Sequence, residues 1–236
     1  MKKDVAEQNS VEEIVQMSGV SRRHFLALGS GLALAGLIGT VSSCKKDDDP
    51  IVTPDGTIDL GSGDIGILNY AYALEQLEAA FYTKVAESFA SGFSATEKAL
   101  LTDIRDHEVA HREFFKAALG DKAIPGLTPN FSSIDFGNKA QVLATAKTFE
   151  DLGVAAYNGA GQLIQDEGYL LLAGKIVSVE ARHAAYIRDL ISPGSFANAE
   201  VIDANGLEMS KLPPAVLTAA SAFLTSKISG KNLPTS

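Results

Sequence analysis

The sequence predicts an all-α chain: four long helices arranged as two hairpins joined by a long crossover, followed by a short C-terminal helix. Three observations predict it. Apolar residues recur at intervals of three and four through most of residues 64–191, which is the helical period. Breaks rich in Gly and Pro divide that stretch into two short-looped pairs and one long connection. The two pairs also repeat each other. Glu75-Gln76-Leu77-Glu78-Ala79-Ala80-Phe81-Tyr82 aligns with Glu150-Asp151-Leu152-Gly153-Val154-Ala155-Ala156-Tyr157, and the E-x-x-H pairs Glu108/His111 and Glu180/His183 follow 33 and 30 residues after the leading glutamates.

Bulk composition bounds the function. With 236 residues, 46% of them hydrophobic, the chain can bury one good core and has little left for a second. A net charge of -9 without a basic run argues against nucleic acid as a partner. The single cysteine, Cys44, excludes an intrachain disulfide framework and a cysteine-based zinc or iron-sulfur site.

Residues 1–44 read as an address. Ser21-Arg22-Arg23-His24-Phe25-Leu26 and the glycine-broken apolar run of residues 27–41 resemble a bacterial twin-arginine export signal. The run is too short and too rich in glycine for a good membrane span. Val41-Ser42-Ser43-Cys44 resembles a lipobox, which implies cleavage before Cys44 and acylation of that residue; the alternative is an uncleaved anchor with an incidental cysteine. Two acyl chains give stable membrane attachment. Residues 45–63, charged at first and then rich in Gly, Pro and Asp, are expected to form a flexible tether.

The bundle is expected over residues 64–191. Ile67, Leu68, Ala71, Leu74, Leu77, Phe81 and Val85 mark a first helix running to about residue 90. Ser94-Ala95-Thr96-Glu97 is a capping box that opens a second helix, which stops at Gly120. Residues 121–136, with Pro125, Gly126, Pro129 and Asn130, form the crossover. A third helix is expected over 138–165 and a fourth over 168–191, ended by Ser192-Pro193-Gly194. In the C-terminal extension, residues 192–236, Pro213-Pro214 opens a short fifth helix reaching about residue 228.

The chemistry lies in the repeated glutamates and histidines. A Glu and a His three apart share a helix face, so the two E-x-x-H pairs with Glu75 and Glu150 offer six oxygen and nitrogen ligands: Glu75, Glu108, His111, Glu150, Glu180 and His183. With 14 glutamates in 236 residues, a given histidine has Glu three places before it by chance in roughly one case in 17. Two such pairs in repeat-related places are far less expected. Heights agree as well. Glu75 and Glu108 stand 17 and 16 residues from Gly92, roughly 25 Å from the turn, and Glu150 and Glu180 stand 16 and 14 from Asp166. The alternatives are solvated surface pairs or satisfied core histidines, but six ionisable groups inside a bundle are costly without a cation. Carboxylate oxygen with imidazole suits iron or manganese best, with zinc compatible. His107 lies about 100° round the helix from Glu108 and is set outside the site. Tyr82 and Tyr157, each seven residues after a leading glutamate, either hydrogen-bond a ligand carboxylate or are core tyrosines.

Residues 64–191 resemble the ferritin-like superfamily, in particular bacterial ferritin-like domain proteins carrying a Leu-Glu-x-Leu-Glu-Ala-x-Phe-Tyr helix, present here as Leu74 to Tyr82. The resemblance implies two iron or manganese ions, with Glu75 and Glu150 as terminal ligands, Glu108 and Glu180 as bridges, and His111 and His183 as nitrogen ligands. Glu78, whose repeat partner is Gly153, is left as an extra ligand, a hydrogen-bonding neighbour of one, or a carboxylate on the access path. The expected function is an exported protein of the bacterial cell envelope, periplasmic or on the cell surface, oxidising Fe(II) or a small reductant with O2 or H2O2. A non-catalytic metal-binding or stress-protection role is the alternative. A lipid-anchored monomer or homodimer is expected rather than a closed cage.

Overall fold

Three of the four long helices begin where a capping side chain supplies the first turn with an acceptor. The computed structural model describes residues 52–235, in the order β1 (Ile58–Asp59), α1 (Gly63–Glu87), α2 (Ala95–Leu119), a 3-10 turn (Gly120–Lys122), α3 (Lys139–Gly161), α4 (Glu167–Ile191), α5 (Pro213–Ser221) and β2 (Ile228–Ser229). The export signal, Cys44 and the first part of the expected tether lie outside the described residues. Ser94 and Glu97 form the reciprocal capping box at the start of α2. Asn138 accepts from the Ala140 and Gln141 amides to open α3, and Asp166 accepts from the Tyr169 amide to open α4. Such caps satisfy amides that otherwise lack partners. Gly120, at φ +56°, ends α2 in a conformation that glycine adopts without strain.

The fold is an all-α four-helix bundle with a short C-terminal helix. Helix α1 packs on α2 and α3 packs on α4, each pair a hairpin, and α1 and α3 face each other across the bundle. Helix α1 is enclosed on nearly every side, because the crossover and the C-terminal extension cover the faces that α2 and α3 leave. Buried Asn69 pins the crossover: its amide donates to the Leu60 and Lys122 carbonyls, and its oxygen accepts from the Ile124 amide. Gln76 accepts from the Leu127 amide two turns further on. Phe81 stacks edge-on to Phe131 and Phe149, and Phe149 in turn to Phe223, so one aromatic cluster joins α1, the crossover, α3 and the extension. Among the described residues no helix is long and apolar enough to cross a membrane.

Three boundaries differ from expectation. Helix α3 stops at Gly161 and Asp166 becomes the cap of α4, because the two carboxylate oxygens of Asp64 accept from the Gln165 and Asp166 amides and hold that segment as a turn. Helix α5 ends at Ser221, short of residue 228, because the following backbone bonds the crossover instead, Thr225 N–H to Thr128 O and Asn130 N–H to Phe223 O. Within the stretch expected to be a tether, Ile58 and Leu60 are buried, and β1 pairs in parallel with β2.

Candidate metal centre

Each helix contributes to one layer at mid-bundle: Glu75 from α1, Glu108 and His111 from α2, Glu150 from α3, Glu180 and His183 from α4. All four carboxylates are fully buried. The six residues fall into two overlapping groups, Glu75, Glu108, His111 and Glu180 in one and Glu108, Glu150, Glu180 and His183 in the other, with the candidate ligand atoms of each within 4.8 Å of one another. Glu108 and Glu180 belong to both. The sequence repeat therefore appears in space as a local two-fold.

Contact distances follow the same symmetry. His111 Nδ1 lies 2.8 Å from Glu180 Oε1, 3.5 Å from Glu75 Oε2 and 3.9 Å from Glu108 Oε2. His183 Nδ1 lies 2.9 Å from Glu108 Oε1, 3.6 Å from Glu150 Oε2 and 3.8 Å from Glu180 Oε2. Each shared glutamate thus turns one oxygen to either histidine. The 2.8 and 2.9 Å contacts lack hydrogen-bond geometry, and none of these atoms has a hydrogen-bond partner. Both oxygens of Glu108 and Glu180, one oxygen each of Glu75 and Glu150, and Nδ1 of both histidines make eight buried atoms without partners. Isolated buried groups of this kind cost one to several kcal/mol each, roughly. Lone pairs converging on two points fit a pair of cations, and four ionised carboxylates balance two divalent charges.

The remaining atoms of the layer are held by neighbours. Tyr82 on α1 donates to Glu150 Oε1 at 2.5 Å, and Tyr157 on α3 donates to Glu75 Oε1. Each tyrosine crosses to the opposite helix, leaving one oxygen of each terminal glutamate turned inward. His107 Nδ1 lies 3.0 Å from His183 Nε2, the two rings nearly parallel. With His183 Nδ1 kept for a metal, its proton sits on Nε2 and His107 accepts. Sequence reasoning missed His107, since its angle on α2 says nothing about what α4 brings to it.

Electrostatics show how strained the layer is when protein groups alone are counted. Burial, then the charge of Glu180, holds Glu108 well above the usual carboxylate range; burial raises Glu150 to about 7, although His183 opposes the rise. For Glu180 burial is overcome by His111 and His183, and its pKa falls to about 2. Burial likewise opposes protonation of His111, but Glu180 and Glu75 raise it to about 10. Glu78 is buried outside both groups, and burial, then the negative charges of Glu108 and Glu180, raises its pKa strongly. A Cβ at Gly153 would stand 2.9 Å from Glu78 Oε1, so the glycine makes room for this fifth carboxyl group.

A helical bundle enclosing a carboxylate–histidine cluster able to hold metal defines the class of protein. Residues 63–193, more than half of the chain, match the ferritin-like domain, and the chain belongs to that family. No curated protein matches it.

Proposed function

We propose that this is an exported, lipid-anchored dinuclear metal protein of the bacterial cell envelope, oxidising Fe(II) or another small reductant with O2 or H2O2. The observation that carries the reading is the eight buried, unpartnered atoms turned towards two adjacent points. Glu75 and His111 would hold one ion, Glu150 and His183 the other, and Glu108 and Glu180 both. Two iron or manganese ions bound there would supply two one-electron steps side by side. Tyr82 and Tyr157 fix the terminal carboxylates, and His107 fixes the ring of His183. Four protein atoms for each ion would leave coordination positions for an oxidant. With ferrous iron as reductant, two Fe(II) and two protons convert H2O2 to two waters, or O2 to H2O2. The arginine pair at Arg22-Arg23 and the segment ending at Cys44 support export in the folded state to a periplasmic or surface membrane face, as a monomer or homodimer.

The test is metal analysis of the purified chain beside His111→Ala and His183→Ala. About two iron or manganese ions per chain are expected, falling to about one or fewer in each variant, since each loses one of four ligands. Reconstituted protein should then consume peroxide or oxygen as it oxidises Fe(II). Metal bound without any such oxidation would favour a non-catalytic envelope role, and no metal after reconstitution would remove the reading altogether.

A further inference from the structure

The bundle axis holds a second feature, at the end where α1 begins, α2 ends and α3 turns into α4. A pocket of about 30 Å³ lies there, walled by Ala71, Leu74, Phe115, Tyr157, Ala160 and Ala173 among others. Its place relative to the metal layer follows from helical spacing. Ala71 is one turn from Glu75 and Phe115 one turn from His111, while Tyr157 and Ala173 are two turns from Glu150 and Glu180. At about 5.4 Å per turn the pocket begins roughly 5 to 11 Å from the ligand layer. Tyr157 belongs to both, its ring in the pocket wall beside Phe115 and its hydroxyl on Glu75.

Size and lining select the occupant. A water needs on the order of 10–15 Å³ by this measure together with two to four polar partners. The pocket has the room but lacks the partners: its walls are carbon almost throughout, the Tyr157 hydroxyl is committed to Glu75, and Tyr70, whose hydroxyl has no protein partner, offers at most one. Hydrogen peroxide would forfeit its hydrogen bonds on entering. A benzene-sized ring needs several times the volume, about 150 Å³. A diatomic apolar molecule fits both limits.

We propose that this pocket binds dioxygen and supplies it to the metal pair past Tyr157 and Phe115. The proposal rests on the redox reading of the centre and narrows it, assigning O2 a route that H2O2 does not share. Ala160→Leu and Ala173→Leu each fill the pocket from a different helix, and neither residue touches the ligand layer. Xenon, an apolar probe of suitable size, should occupy the pocket in pressurised crystals of the purified chain and be absent from both variants. In the iron-loaded chain, the O2 concentration giving half-maximal Fe(II) oxidation should rise at least about tenfold in the variants, since each adds three carbons where a single methylene already discriminates by about that much. The H2O2-driven rate should stay as in the wild type, which also reports intact folding. Absence of xenon from the wild-type pocket, or equal loss of the O2 and H2O2 reactions in both variants, would overturn the proposal. Xenon in the pocket of a loaded wild type that consumes neither oxidant would sink the redox reading, and the delivery role with it, while leaving the gas site.

Discussion

At His183 a neighbour chooses which ring nitrogen faces the cluster. Burial first, then the nearby His183 and His111, lowers the pKa of His107, which keeps its ring neutral and able to accept the proton of His183 Nε2. His111 has no such partner on its outer nitrogen among the described residues, so the two halves of the centre differ although their ligands repeat. His107→Ala should therefore weaken metal binding at the Glu150/His183 position by about 10- to 100-fold, the usual cost of losing a support of this type, and spare the Glu75/His111 position. Stepwise Mn(II) titration by calorimetry separates the two; equal weakening of both steps would contradict the assignment. All six clustered residues were legible in the sequence: a three-residue spacing places Glu108 with His111 and Glu180 with His183 on one face whatever the rest of the chain does, and the internal repeat marks Glu75 and Glu150. His107 was not, since its contact is made by a helix 76 residues away. The part played by Tyr82 and Tyr157 was legible only as a choice between two readings, and both apply: each is buried and each donates to a glutamate of the layer.

At the scale of the elements, the start of α2 also fastens α3. Glu97 caps Ser94 N–H at 2.7 Å and holds Lys139 Nζ, at the first residue of α3, at 2.7 Å. Lys139 reaches the Gly92 carbonyl as well. Glu97→Ala should cost about 1 kcal/mol, the worth of a capping interaction, and lower the melting temperature by roughly 2–4 °C for a domain of this size. The pH dependence has a definite sign. Lys139, then the Ser94 amide, holds the Glu97 carboxyl below its ordinary value of 4.5, so the contribution is present above that pH and is lost as pH falls through the lowered folded-state value. Melting curves of wild type and variant should converge in acid; a gap that persists at pH 2 would rule out the charged form as the source. The capping box was visible as Ser94-x-x-Glu97, a local pattern. Its grip on Lys139 depends on how the hairpins meet, and the early ends of α3 and α5 depend on Asp64 and on the crossover, which no periodicity reports.

Considered as a whole, the molecule is closed by its C-terminal extension. Arg188, buried on α4, binds Asp151 on α3 together with Asn198 and Glu200 beyond the bundle. Further along, the Lys211 amide donates to Ala155 O at 2.8 Å, an approach allowed only because residue 159 is glycine: a Cβ there would lie 1.9 Å from Lys211 O. Gly159→Ala should destabilise the protein by about 1–3 kcal/mol through overpacking and expose residues 195–211 to faster proteolysis, with the metal content unchanged. Digestion at the wild-type rate would show that the extension docks by other means. The two hairpins and the crossover could be read from caps, breaks and the repeat. The docking of the extension could not, because it rests on backbone approaches and single polar contacts rather than on a pattern. The pairing of β1 with β2, only two residues on each side, also has a mechanical meaning. A pull on the chain ahead of Ile58 meets that clip before it reaches α1, and the load is shared with a strand from the far end of the sequence instead of passing straight down the helix that carries Glu75.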